Sequence, residues 1–113
     1  MKAISRELGG YMSNKEELLE AIEHYDVLTK KHTSVLKVLV KISEDDIANI
    51  TIKKLAELSN SSKPVVYQAI NNLEERKMIE KIKANKGKFS QFILKPLKLE
   101  EIIKYSNKIK LAQ

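Results

Sequence analysis

The chain has no cysteine and no tryptophan, and among its 113 residues there are only two histidines, two prolines and three glycines. Without cysteine there can be no disulfide, no thiol nucleophile and none of the common cysteine zinc sites, and two histidines leave little room for a metal. No cofactor is expected, and the compartment is unmarked by redox chemistry. Apolar runs are short: none approaches the ~20 residues of a membrane span. The opening MKAISRELGG lacks the apolar middle of a secretion signal, so a cytoplasmic protein without a membrane partner is expected. Gly9-Gly10 does not read as a phosphate loop, because no strand precedes it and no GxGxxG follows. His24 and His32 have no obvious serine and carboxylate partners and no metal-ligand spacing, and they read as surface or packing residues. Asp45-Asp46 reads as a solvated acidic loop, so no enzyme is expected.

What the chain does have is positive charge. There are 21 Lys+Arg against 15 Asp+Glu, a net +6, which makes nucleic acid the leading class of partner. The excess is unevenly placed. Residues 1–50 hold 7 basic and 9 acidic groups, residues 51–95 hold 10 and 4, and residues 96–113 hold 4 and 2, so the middle segment carries it. The length suits one domain over 1–113, with no internal repeat and no low-complexity linker.

Ser13 followed by Glu16 reads as a capping box, each side chain serving the other's backbone amide. Leu18, Leu19, Ile22, Tyr25 and Leu28 then recur at helical steps, so one amphipathic helix is expected over 14–30. A second is expected to begin after Thr33 or Ser34, to turn Leu36, Leu39, Val40 and Ile42 inward, and to end before Glu44-Asp45-Asp46. Thr51 is the next plausible cap. From Ile52 the chain has the form of two short helices joined by a tight turn. Leu55, Ala56 and Leu58 supply the buried side of the first, and Asn60 tolerates a left-handed turn residue. Ser62 can cap the second helix, with Pro64 in its first turn. On that helix Val66, Ile70 and Leu73 fall within about 60° of one another and form a core stripe. The opposite arc shows Pro64, Val65, Tyr67, Gln68, Asn71, Asn72 and Glu75. Two strand-forming runs follow, 79–84 and 89–94, around Asn85-Lys86-Gly87-Lys88, where Gly87 allows the positive φ of a short hairpin loop. Pro96 stops the second strand, and a last helix over 98–111 carries Leu99, Ile102, Ile103 and Ile109 on one side.

Helix, helix, turn, helix and two-stranded wing, in that order, resemble a winged helix-turn-helix domain over 33–95. The residues carrying the resemblance are Leu55-Ala56-Glu57, Asn60, Ser62-Lys63, and Leu73-Glu74-Glu75-Arg76-Lys77-Met78-Ile79 leading into the wing. They are similar to bacterial and archaeal regulators of the multiple-antibiotic-resistance (MarR) type and their small winged-helix relatives. Lys77 stands where a glycine often closes the recognition helix of that family. The resemblance implies a mainly α fold with an α+β wing, flanked by N- and C-terminal helices, and double-stranded DNA as partner without catalysis.

In helix-turn-helix proteins the N-terminal residues of the recognition helix reach base edges in the major groove. This puts Ser62, Lys63, Pro64, Val65, Tyr67, Gln68, Asn71 and Asn72 in reading or phosphate range. Gln and Asn amides suit adenine, Pro64 and Val65 suit a thymine methyl, and Lys63 is the cation placed to read guanine. The ring of Tyr67 either stacks on sugar or packs on its own helix. Lys53 and Lys54, at the start of the preceding helix, suit phosphate, or are simply solvated. Lys81, Lys83, Lys86 and Lys88 along the wing suit phosphates or a minor groove, or guard a strand edge. The apolar faces of 14–30 and 98–111 exceed what a winged unit needs. A homodimer through Leu18, Ile22, Tyr25, Ile102, Ile103 and Ile109 is therefore expected, with an intramolecular cap as the other possibility. A dimeric transcriptional regulator is the leading function. A plasmid or phage replication or partition factor is the alternative within DNA binding, and a winged-helix protein-interaction module the alternative outside it.

Overall fold

A computed structural model of the protein describes residues 15–82 and 90–112, with side chains through Lys108 in the last helix. Ser13, Gly9-Gly10, the loop around Gly87 with Lys83, Lys86 and Lys88, and the side chain of Ile109 lie outside the described residues. Helix α1 covers 15–23, and α2 is Lys30–Ile42. Strand β1 is Ile47–Ile50, helix α3 Ile52–Ser59 and helix α4 Lys63–Glu75. Strands β2 and β3 are Ile79–Ile82 and Ser90–Leu94, and α5 is Pro96–Ala112. The strands form one antiparallel sheet in the order β1-β3-β2. No helix among the described residues is long and apolar enough to cross a membrane.

The single helix expected over 14–30 is instead a helix, a turn and the start of the next helix. Helix α1 gives way to a turn after Glu23, and Thr29 caps α2: its hydroxyl accepts from His32 N at 3.2 Å and its carbonyl from Thr33 N at 2.9 Å. The apolar period ran on through the turn because Leu28 is buried there too, at 5% exposure, although it is not helical. Thr33, expected near the start of α2, lies inside its first turn and donates to Lys30 O at 2.8 Å. Helices α1 and α2 pack antiparallel. Lys15 donates to the Ser43 carbonyl at the far end of α2 (3.0 Å), where a cation suits the helix dipole, and Lys37 pairs with Glu23.

Strand β1 was not legible in the sequence. Asp45 and Asp46 both take positive φ (53° and 66°), and Glu44 and Ile47 exchange both backbone hydrogen bonds (2.9 and 3.0 Å). This is a two-residue hairpin turn of the type that needs left-handed backbone at both central positions. It sends Ala48 and Ile50 inward against β3, with Ala48 opposite Phe92. Pro96 does more than end β3. It is the first residue of α5, where its missing N–H goes unneeded, and Lys95 O accepts from Lys98 N and Leu99 N.

One apolar cluster joins all these elements. Phe92, Leu36, Leu39, Leu55, Val66, Ile70 and Leu73 are its fully buried centre, and Ile22 of α1 and Ile102 of α5 belong to it at 0% exposure. Leu18, Tyr25 and Ile103 are partly buried against the same cluster. The expected dimer face is corrected on this point: Ile22 and Ile102 are interior residues of one chain and have no area left for a second.

Candidate nucleic-acid interface

The helix-turn-helix is held by short-range hydrogen bonds. Thr51 caps α3, its hydroxyl accepting from Lys54 N at 3.0 Å. Asn60 closes α3 in the left-handed region (φ 55°, ψ 47°), and Ser61 N donates back to Ala56 O at 2.9 Å. Ser62 caps α4: its hydroxyl accepts from Val65 N at 3.4 Å and its carbonyl from Val66 N at 3.0 Å. One contact from another element fixes the turn: Lys31 of α2 donates to the Asn60 carbonyl at 3.1 Å. Within α3 the buried Ser59 hydroxyl donates to Leu55 O at 2.7 Å. Helix α4 thus projects from a rigid corner.

Val66, Ala69, Ile70 and Leu73 face inward on α4, while Lys63, Pro64, Tyr67, Gln68 and Asn71 are exposed. The structure brings Lys63, Pro64, Gln68 and Asn71 to one outward side of one helix. Val65 and Asn72 are half-buried at its edge. Both ends of the Asn72 amide are occupied: Arg76 Nε donates to Oδ1 at 3.2 Å, which turns Nδ2 toward His32 Nδ1 at 3.1 Å. With Nδ2 as donor, that ring nitrogen accepts. Asn72 is a strut between α4 and α2, with one amide hydrogen and one oxygen lone pair committed to it.

Tyr67 packs toward the wing. The Lys81 ammonium of β2 lies 5.7 Å from its ring centroid, and Lys81 N donates to Glu74 Oε2 of α4 at 3.0 Å. Lys53 and Lys54 are exposed in the first turn of α3, with Lys54 in a loose ion pair to Glu57 (3.9 Å). Sequence reasoning missed the Lys31–Asn60, His32–Asn72 and Tyr67–Lys81 contacts, all of which join residues distant in the chain. The Lys37 ammonium holds Glu23 below the usual carboxylate range, and the hydrogen bond to Asp26 pushes the Tyr105 phenol above its usual value. No group of three or more His, Cys, Asp or Glu side chains among the described residues could hold a metal ion.

No protein-family model matches the chain, and no curated protein sequence matches it significantly. Solved structures do resemble it. The YusO protein from Bacillus subtilis is 20% identical with a TM-score of 0.55, over 99% of this chain and 79% of that one. The transcriptional regulator BldR from Sulfolobus solfataricus is 16% identical with a TM-score of 0.54, over 99% and 81%. A MarR-family transcriptional regulator from Silicibacter pomeroyi is 16% identical with a TM-score of 0.51, over 95% and 70%. The likeness is one of fold: the chain has the mainly helical, winged helix-turn-helix architecture of MarR-type regulators.

Proposed function

We propose that this protein binds double-stranded DNA and regulates transcription, with α4 in the major groove and no catalytic step. The observation that carries this is the outward side of α4. A capped helix on a rigid turn presents Lys63, Pro64, Gln68 and Asn71 together, free of the core, in the segment that holds the chain's basic excess. The resemblance to solved transcriptional regulators supports the same reading. Gln68 and Asn71 are the base readers, Lys63 a reader or phosphate contact, and Pro64 an apolar contact to a thymine methyl. Lys53, Lys54 and the Ser62 end of α4 meet phosphate. From the sequence, Lys83, Lys86 and Lys88 add wing contacts to phosphate.

Selection of bound duplexes from a random pool tests this, with affinity then followed against salt. Log affinity should fall linearly with log salt by about 0.9 per phosphate contact, and Lys86→Ala with Lys88→Ala should flatten the line. Gln68→Ala and Asn71→Ala should each relax preference at one or two positions, in sites rich in A·T pairs. Lys53→Ala should weaken all sequences alike. A protein-interaction module would show no salt-linked duplex binding beyond weak charge attraction, and a consensus of G·C pairs would put another face of α4 in the groove.

A further inference from the structure

Tyr67 and Lys81 are contributed by different elements, and neither spacing nor composition joins them. The tyrosine is 46% exposed, so its ring is not a core residue, yet one face of it is covered by the Lys81 ammonium at 5.7 Å. The Lys81 backbone is held as well, by the Glu74 carboxylate at 3.0 Å. Among the described residues its ammonium is in no ion pair. A carboxylate partner would compete with an incoming anion for this cation, whereas an aromatic face attracts the ammonium without carrying a countercharge. The lysine is thereby positioned with its charge unneutralised.

Its location gives that charge a target. Tyr67 lies between Lys63 and Asn71 around α4, about 70° from the middle of the group Pro64, Gln68 and Asn71, on the side where Lys81 of the wing reaches its ring. A helix about 10–12 Å across fills a major groove about 12 Å wide, so side chains on the flank of the inserted arc meet the groove wall, which is phosphate. We propose that Lys81, positioned on the ring of Tyr67, contacts a backbone phosphate at the junction of α4 and the wing, and that Tyr67 acts through its ring as a positioning residue without reading a base through its hydroxyl. This rests on the DNA-binding reading above and adds to it a contact and a positioning role.

Four variants of the full chain test it in duplex binding over 50–200 mM salt, with thermal unfolding as the control for folding. Lys81→Gln keeps most of the stem and removes the charge; it should lower the salt slope by about 0.9 and weaken all sequences alike, so that the loss at 50 mM exceeds that at 200 mM by roughly three- to fourfold. Lys81→Arg keeps a cation over the ring and should retain the slope. Tyr67→Phe keeps the ring and should leave affinity, slope and base preference unchanged. Tyr67→Ala should resemble Lys81→Gln, and the double variant should be no weaker than either. An unchanged slope in Lys81→Gln would overturn the phosphate contact. Relaxed base preference in Tyr67→Phe, or additive losses in the double variant, would overturn the positioning role. Salt-independent or absent duplex binding by the unaltered protein would overturn the DNA reading itself, a result the variants cannot mimic.

Discussion

Lys77 carries the clearest backbone strain near the recognition helix. It follows α4 with φ at 64°, and around it Met78 N donates to Leu73 O (3.0 Å) and Lys77 N to Glu74 O (2.9 Å). This paired pattern closes helices whose first outside residue is left-handed, a place glycine occupies without a Cβ clash. A lysine there is exposed, and among the described residues its side chain is in no hydrogen bond or ion pair. Lys77→Gly should therefore stabilise the fold by about 0.5–1 kcal/mol, the relief of strain exceeding glycine's larger loss of backbone freedom. Urea unfolding measures it: the midpoint should rise with unchanged slope, and a lower midpoint would mean that the lysine side chain contributes more than its backbone costs. Asn60 also takes the left-handed region, but its side chain tolerates it, so Asn60→Gly should gain less. Asn72 shows the opposite situation, a polar residue engaged on both sides. Asn72→Ala should destabilise by about 1–2 kcal/mol, because it removes two hydrogen bonds and strips a half-buried His32 nitrogen of its donor. A thermal shift within error of zero would remove the strut between α4 and α2.

Between elements, α5 is latched to the α1–α2 turn by two tyrosines. The Tyr105 hydroxyl donates to Asp26 Oδ1 at 2.7 Å, and the Tyr105 and Tyr25 rings meet edge to face with centroids 5.3 Å apart. The hydrogen bond to Asp26 raises the Tyr105 phenol above its ordinary value near 10. A group raised in the folded state stabilises it fully below its unfolded value, and the contribution is lost as pH rises through the folded value. The latch should accordingly hold at neutral pH and fail above about pH 10. Lysines titrate in the same range, so the comparison must be with Tyr105→Phe, which keeps the ring contact and removes the proton. The difference in unfolding midpoint between the two proteins should be constant from pH 7 to 9 and shrink above pH 10. A difference that stays level to pH 11.5 would place the Tyr105 proton outside the folding equilibrium.

For the molecule as a whole, the outer helices complete the core. Ile22 and Ile102 lie in the same cluster as Phe92 and Leu73 with no exposed area. Ile22→Ala or Ile102→Ala should cost about 2–5 kcal/mol, the range for deleting a buried aliphatic side chain. Ile22→Asp should unfold the chain outright, because an unpaired charge would sit in the core. Sedimentation and circular dichroism together check this: a folded monomer from Ile22→Asp would show that this face joins two copies and is not the interior of one. DNA affinity in these variants should be lost together with folding.

The parts that the sequence by itself determined are those closed within a few residues. The caps at Thr51 and Ser62, the left-handed turn at Asn60, the inward stripe Val66, Ile70 and Leu73, and the strand pattern either side of Gly87 all follow from chemistry that acts over one to four positions. The same local logic misplaced the α1–α2 boundary, since a buried turn residue such as Leu28 keeps the apolar period without keeping the helix. Tertiary structure alone decided the rest. Strand β1 follows directly on an acidic turn and has no turn-linked partner strand in the sequence beside it; it exists because Ile47 to Ile50 find β3 40 to 46 positions further on. His32 meets Asn72 across 40 residues, and Tyr67 meets Lys81 across a helix end. Whether an amphipathic helix covers its own core or a second chain is likewise set by which apolar surfaces are left over after packing. Periodicity reports that a face is apolar and carries no information about what will cover it.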